Sequence, residues 1–152
     1  MFRHSAEDLT IIEEIGRLYD TSEHVHMLKD NFSCIEFELL TKKFDFIICS
    51  RFHGVVHAYR HYVPVLVLGW AVKYVELADL VEQSQYVFDI TDEKCAPNDV
   101  MTALDKLISD ALVDSETIKK NMKNVQKDNC FDEIFLEDVK GASDETETES
   151  TY

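Results

Sequence analysis

Between Phe44 and Val75 the sequence carries one acid, Asp45, against Arg51, Arg60 and Lys73, with His53, His57 and His61 added. The whole chain holds 30 acidic and 15 basic residues, a formal charge of -15, so this stretch is a local electropositive island. Its centre, Ser50-Arg51-Phe52-His53-Gly54, follows directly on the apolar run Phe46–Cys49. That order predicts a buried strand passing into a helix with Ser50 as N-cap, which aims orphan N–H groups and the positive dipole end at the carboxyl edge of a sheet. Such a terminus suits an anion. Arg51 would add a planar, permanently charged fork for phosphate or carboxylate, and His53 a group that gives or takes a proton near neutrality. Gly54 would let a ligand or a neighbouring backbone come close. Arg51 in a structural salt bridge and His53 in a core contact would be the plain alternatives. Position favours the ligand, because open α/β sheets bind beyond the strand carboxyl ends.

A second junction of the same kind follows at Gly69-Trp70-Ala71-Val72-Lys73-Tyr74. Lys73 would reach a second charge of an anionic ligand, and Trp70 would stack on a sugar or wall the site. Taken singly, Lys73 reads better as a solvated side chain and Trp70 as an interface or core anchor; the two adjacent junctions together bring the ligand reading level with these. His53, His57 and His61 recur at every fourth residue and imitate a metal face. A stripe of three along one helix spans about 12 Å, too long for all to reach one ion. His57 and His61 are therefore expected in packing or at the surface, and no metal is expected.

The elements that would position these residues follow from periodicity. Apolar runs of strand length at Val25–Leu28, Phe46–Cys49, Pro64–Leu68 and Tyr86–Phe88 alternate with helix-period segments. The alternation predicts βαβ units and a parallel sheet flanked by helices, an α/β, Rossmann-like domain over residues 1–140. Ser5 and Asp8 mark a first helix, and Ser33-Cys34-Ile35-Glu36 is a capping box opening a second. Pro64 forces Val63 extended and ends the helix before it. Helices are expected over 98–113, 115–128 and 131–139. Residues 141–152, GASDETETESTY, carry four acids, no base and almost nothing apolar, and are expected to form a disordered tail. A doubly wound domain ordinarily starts with a strand, whereas this chain starts with a helix. Phe2-Arg3-His4 would then end a strand that begins upstream.

With 152 residues, 45% of them hydrophobic, the chain can bury one core. Its acidity excludes a basic nucleic-acid binder. No apolar run reaches the roughly 20 residues of a membrane span, and the first residues lack the order of a secretion signal, so a cytoplasmic protein is expected. Cys34, Cys49, Cys95 and Cys130 form no CxxC pair and are expected as reduced thiols, with Cys49 buried. The sequon Asn31-Phe32-Ser33 is taken as chance.

Asp45-Phe46-Ile47-Ile48-Cys49-Ser50-Arg51-Phe52-His53-Gly54-Val55-Val56-His57-Ala58, with Val63-Pro64-Val65 and Gly69-Trp70-Ala71-Val72-Lys73-Tyr74 at matching spacing, closely resembles the C-terminal half of polysaccharide pyruvyl transferases. Phe2-Arg3-His4, Tyr86-Val87-Phe88-Asp89 and the closing helices extend the resemblance over most of residues 1–139. Tyr62 stands where many members carry glycine. The resemblance implies a two-domain architecture like that of GT-B glycosyltransferases, of which this chain would be the second half. It implies transfer of a pyruvyl unit from phosphoenolpyruvate to two sugar hydroxyls as a cyclic ketal, in cell-surface or exopolysaccharide synthesis, without a cofactor. Arg51 and His53 would fall on the Arg-x-His motif that holds the donor and would be the catalytic pair. Ser50, Phe52, Gly54, Gly69, Trp70 and Lys73 would complete the substrate site. Partners would be phosphoenolpyruvate, a saccharide acceptor and an N-terminal half, or a second copy covering the same apolar face. The half alone is expected to be poorly active, since proximity supplies roughly 7–11 kcal/mol of such a barrier.

Three other functions compete. Half of a nucleotide-sugar glycosyltransferase would favour a Gly-rich loop, and the chain has four glycines and no such loop. A truncated, non-catalytic module would keep the anion site as a vestige. A receiver-type signalling domain would need acids at the strand ends, where Cys49-Ser50-Arg51 and Leu68-Gly69-Trp70 stand instead.

Overall fold

The computed structural model describes residues 6–19, 22–28 and 31–127. Phe2-Arg3-His4, Ser5, Cys130, the expected helix over 131–139 and the tail over 141–152 lie outside the described residues. The chain divides between Phe44 and Asp45 into two compact units.

The first unit holds α1 (Ala6–Leu18) and α2 (Cys34–Thr41). The capping box at α2 forms as its residues dictate: Ser33 Oγ accepts from the Glu36 N–H at 3.2 Å, and the Glu36 carboxylate accepts from the Ser33 N–H at 2.8 Å. These bonds hold the Glu36 carboxyl below its ordinary range. The strand expected at Val25–Leu28 does not form. The alternation is present, with Val25 and Met27 half-buried and His26 and Leu28 exposed, but no strand pairs with it among the described residues. Met27 instead lies over Gly16 of α1, 3.6 Å from where a Cβ would stand.

The second unit is built on a three-stranded parallel sheet in the order β1 (Ile47–Cys49), β2 (Val65–Gly69), β3 (Val87–Asp89). Cys49 pairs with Val67, Val67 with Val87 and Gly69 with Asp89, so all three carboxyl ends share one edge. α3 (Phe52–Arg60) connects β1 to β2, and α4 (Val72–Asp79) with a 3-10 turn (Ser84–Tyr86) connects β2 to β3. The sheet is mixed with helices in the way that the alternation predicts.

Strand alternation sorts the core into two faces. Ile47, Cys49, Val65, Val67 and Val87 pack on one side with Val55, Tyr59 and Tyr74. Phe46, Leu66, Leu68 and Phe88 pack on the other with Leu107. α5 (Pro97–Lys127) serves both, Leu107 in one cluster and Ile118 in the other. This corrects the expectation of two helices parted at Asp114. Asp114 is buried, and its carboxylate accepts from Tyr86 Oη at 2.8 Å and Gln83 Nε2 at 3.2 Å. A residue that looks like a breaker in isolation is thus satisfied by tertiary partners, and 31 residues run on as one helix.

α3 and α4 end alike. The Val63 N–H reaches Ala58 O and the Tyr62 N–H reaches Tyr59 O; the Gln83 N–H reaches Ala78 O and the Glu82 N–H reaches Asp79 O. These are Schellman closures, which place Tyr62 (φ 63°) and Glu82 (φ 59°) in the left-handed region that favours glycine. The tyrosine at 62 therefore occupies a position where glycine would sit without strain.

Candidate functional site

The sheet edge brings the two junctions side by side. β1 leads through Ser50 into α3, and its neighbour β2 leads through Trp70 and Ala71 into α4, both helices starting above adjacent parallel strands roughly 5 Å apart. The N-cap of α3 is Arg51 (φ -104°, ψ 127°), not Ser50 as expected, and no side chain caps the helix. The strand stays extended one residue further because Ser50 is held by its carbonyl, which accepts from Tyr74 Oη at 3.0 Å. The first N–H groups of α3 keep no intrahelical acceptor, as at any helix start.

Arg51 and His53 are both exposed at this terminus. The His53 ring stands edge-on to Phe52, centroids 6.2 Å apart. Lys73 projects from the second junction toward the first, its Nζ 4.8 Å from the centroid of Phe52 and 5.6 Å from that of Tyr74. Both lie within cation–π range, so an arene shelf carries the ammonium between the two helix starts. Trp70 is 57% exposed and leans edge-on against Tyr74 at 5.9 Å.

The two glycines act inside the fold. A Cβ on Gly54 would stand 2.6 Å from Cys49 Sγ, and one on Gly69 would stand 2.8 Å from the Tyr74 ring. Gly54 thus lets α3 close over the end of β1, and Gly69 makes room for Tyr74. Cys49 donates its thiol to Arg51 O at 3.3 Å, and burial pushes that thiol above its ordinary range despite the carbonyl contact and the nearby guanidinium. His57 within α3 and His61 at its C-cap are half-buried, away from the helix start. Among the described residues no three His, Cys, Asp or Glu side chains gather as a metal site.

The third strand end is acidic. Asp89, level with Gly69, accepts from the Thr91 N–H at 2.8 Å and Thr91 Oγ1 at 2.6 Å, bonds that lower its carboxyl pKa. The electropositive edge is accordingly two strands wide. Sequence patterns did not single out Tyr74 or the shelf role of Phe52. Only the aromatic spacing, Phe52 opening one helix and Tyr74 in the first turn of the next, hinted at them.

No protein family, no curated protein and no solved structure matches this chain. No described helix is long and apolar enough to cross a membrane.

Proposed function

We propose that the chain is the donor-binding half of a polysaccharide pyruvyl transferase, taking phosphoenolpyruvate at the carboxyl edge of β1 and β2. The observation that carries this reading is the placement of Arg51 and His53 at one helix start and of Lys73 at the next, on adjacent strands, with the Lys73 ammonium over Phe52 of the first. Phosphoenolpyruvate presents a phosphate and a carboxylate a few ångströms apart. A guanidinium fork, an ammonium and the N–H groups of a helix start match two anionic groups better than one.

In the reaction, His53 gives a proton to the methylene carbon of the donor, which becomes a methyl group and leaves an oxocarbenium centre at the carbon bearing phosphate. A sugar hydroxyl adds there and loses its proton. The carbon–oxygen bond to phosphate then breaks, with Arg51 and Lys73 stabilising the departing anion. A second hydroxyl adds to the same carbon, loses its proton and closes the ketal. Trp70 offers an exposed indole face to the apolar side of the sugar ring. A cytoplasmic location accords with this donor.

Calorimetric titration of phosphoenolpyruvate into the wild type and Arg51→Ala at low ionic strength, with a nucleotide-sugar as control, tests the reading. Saturable binding that Arg51→Ala weakens roughly tenfold or more supports it. Binding of the nucleotide-sugar alone overturns the pyruvyl donor.

A further inference from the structure

Tyr74 is 1% exposed, between the exposed Lys73 and Val75, and touches both junctions. Its hydroxyl reaches across 24 residues of sequence to Ser50 O at 3.0 Å. Its ring meets Phe52 at 5.7 Å and 72°, meets Trp70 at 5.9 Å and 61°, and lies 5.6 Å from Lys73 Nζ. The space left by the missing side chain of Gly69 is filled by the same ring. Because the peptide is planar, holding the Ser50 carbonyl also fixes the Arg51 N–H and the direction from which Arg51 enters the N-cap position. Phenylalanine would fill the same core volume with no hydroxyl to satisfy, so packing alone does not call for tyrosine.

We infer that Tyr74 is the positioning residue that makes the two junctions one anion site, its hydroxyl setting the Arg51 side and its ring setting Lys73 and Trp70. The inference rests on the phosphoenolpyruvate reading.

Calorimetric titration of phosphoenolpyruvate into wild type, Tyr74→Phe and Arg51→Ala, with thermal melting of each, tests it. Tyr74→Phe keeps the ring and removes only the bond to Ser50. It is expected to weaken binding about three- to tenfold, while the melting temperature moves by no more than about 4 °C. In an Arg51→Lys background, where the fork is already gone, the same change is expected to weaken binding less than about twofold. Tyr74→Phe binding as tightly as wild type, with Arg51→Ala binding lost, overturns the positioning role and leaves the donor site standing. A weakening of the same size in both backgrounds also overturns it, since the hydroxyl would then act without Arg51. Absence of saturable binding by the wild type overturns the donor reading and this inference together.

Discussion

Tyr86, in the turn that opens β3, donates its hydroxyl to Asp114 halfway along α5 at 2.8 Å, and this bond fastens the long helix to the amino side of the sheet. Tyr59 is as deeply buried, but its hydroxyl has no hydrogen-bond partner among the described residues. The two tyrosines should respond oppositely to loss of the hydroxyl. Tyr86→Phe leaves a buried carboxylate short of a donor and is expected to destabilise the protein by about 1–3 kcal/mol. Tyr59→Phe removes an unsatisfied polar atom and is expected to stabilise it by about 1 kcal/mol. Urea denaturation of the two variants beside wild type measures both, and a loss of stability in Tyr59→Phe would refute the second.

The same pair is expected to steepen the loss of stability at alkaline pH. Burial raises the phenol pKa of Tyr59, with nearby Asp114 adding to it; at Tyr86 burial again leads, followed by the bond to Asp114. The fold therefore holds the neutral phenols. Their stabilisation is complete below about pH 10, where the unfolded chain also keeps its phenols protonated, and is lost progressively as pH rises toward the folded-state values. Each group contributes a slope of about 1.4 kcal/mol per pH unit above about pH 10. Stability of the wild type against urea between pH 9 and about 11 should fall accordingly, and Tyr86→Phe should fall less steeply. An unchanged slope in that variant would show that other groups cause the loss.

Features decided by neighbours in sequence were the legible ones. Ser33 and Glu36 make their capping box because both partners lie within one turn, and Pro64 ends the α3 connection through its own covalent geometry. β1, β2 and β3 fall within a residue or so of the apolar runs that predict them. Asp114 misled because its partners, Gln83 and Tyr86, are about 30 residues away and cannot be read from the helix itself. Val25–Leu28 has the strand period, but among the described residues no strand pairs with it, so alternation alone did not make a strand. The position of Arg51, His53 and Lys73 at two strand-to-helix junctions was legible in the sequence. Their brace was not, because the bond from Tyr74 to Ser50 exists only once β1 and β2 are paired.

Glu82 offers a direct gain in stability. It is exposed, and its backbone sits at φ 59° in the closing turn of α4, where a Cβ is unfavourable. The bond it receives from Gln83 Nε2 uses its carbonyl, which any residue keeps. Relief of the left-handed strain outweighs the extra freedom that glycine gives the unfolded chain, so Glu82→Gly is expected to stabilise by about 0.5–1 kcal/mol. Tyr62 has the same backbone but packs its ring against the core, so Tyr62→Gly should gain less or lose. Thermal melting of the two variants gives the comparison, and a larger gain at 62 than at 82 would contradict it.

Gly69 is a closely confined backbone position at the proposed site. An added Cβ there meets ring atoms of Tyr74 at 2.8, 3.0 and 3.2 Å, and the ring, being buried, has no open space into which to swing. Gly69→Ala must displace Tyr74, stretching its bond to Ser50 and shifting Trp70 and Lys73 with it. A cost of about 1–3 kcal/mol in stability is expected from the overpacking. Trp70 is the chain's one tryptophan, so its near-ultraviolet dichroism reports the displacement directly. Gly54→Ala, which presses on Cys49 Sγ instead, should cost a similar amount. Its effect on the Trp70 signal should be much smaller, because Trp70 leans on the Tyr74 ring, which a Cβ at Gly69 meets directly. A Trp70 spectrum unchanged in Gly69→Ala would mean that the ring yields without moving its neighbours, and that the two junctions are not mechanically joined through Tyr74.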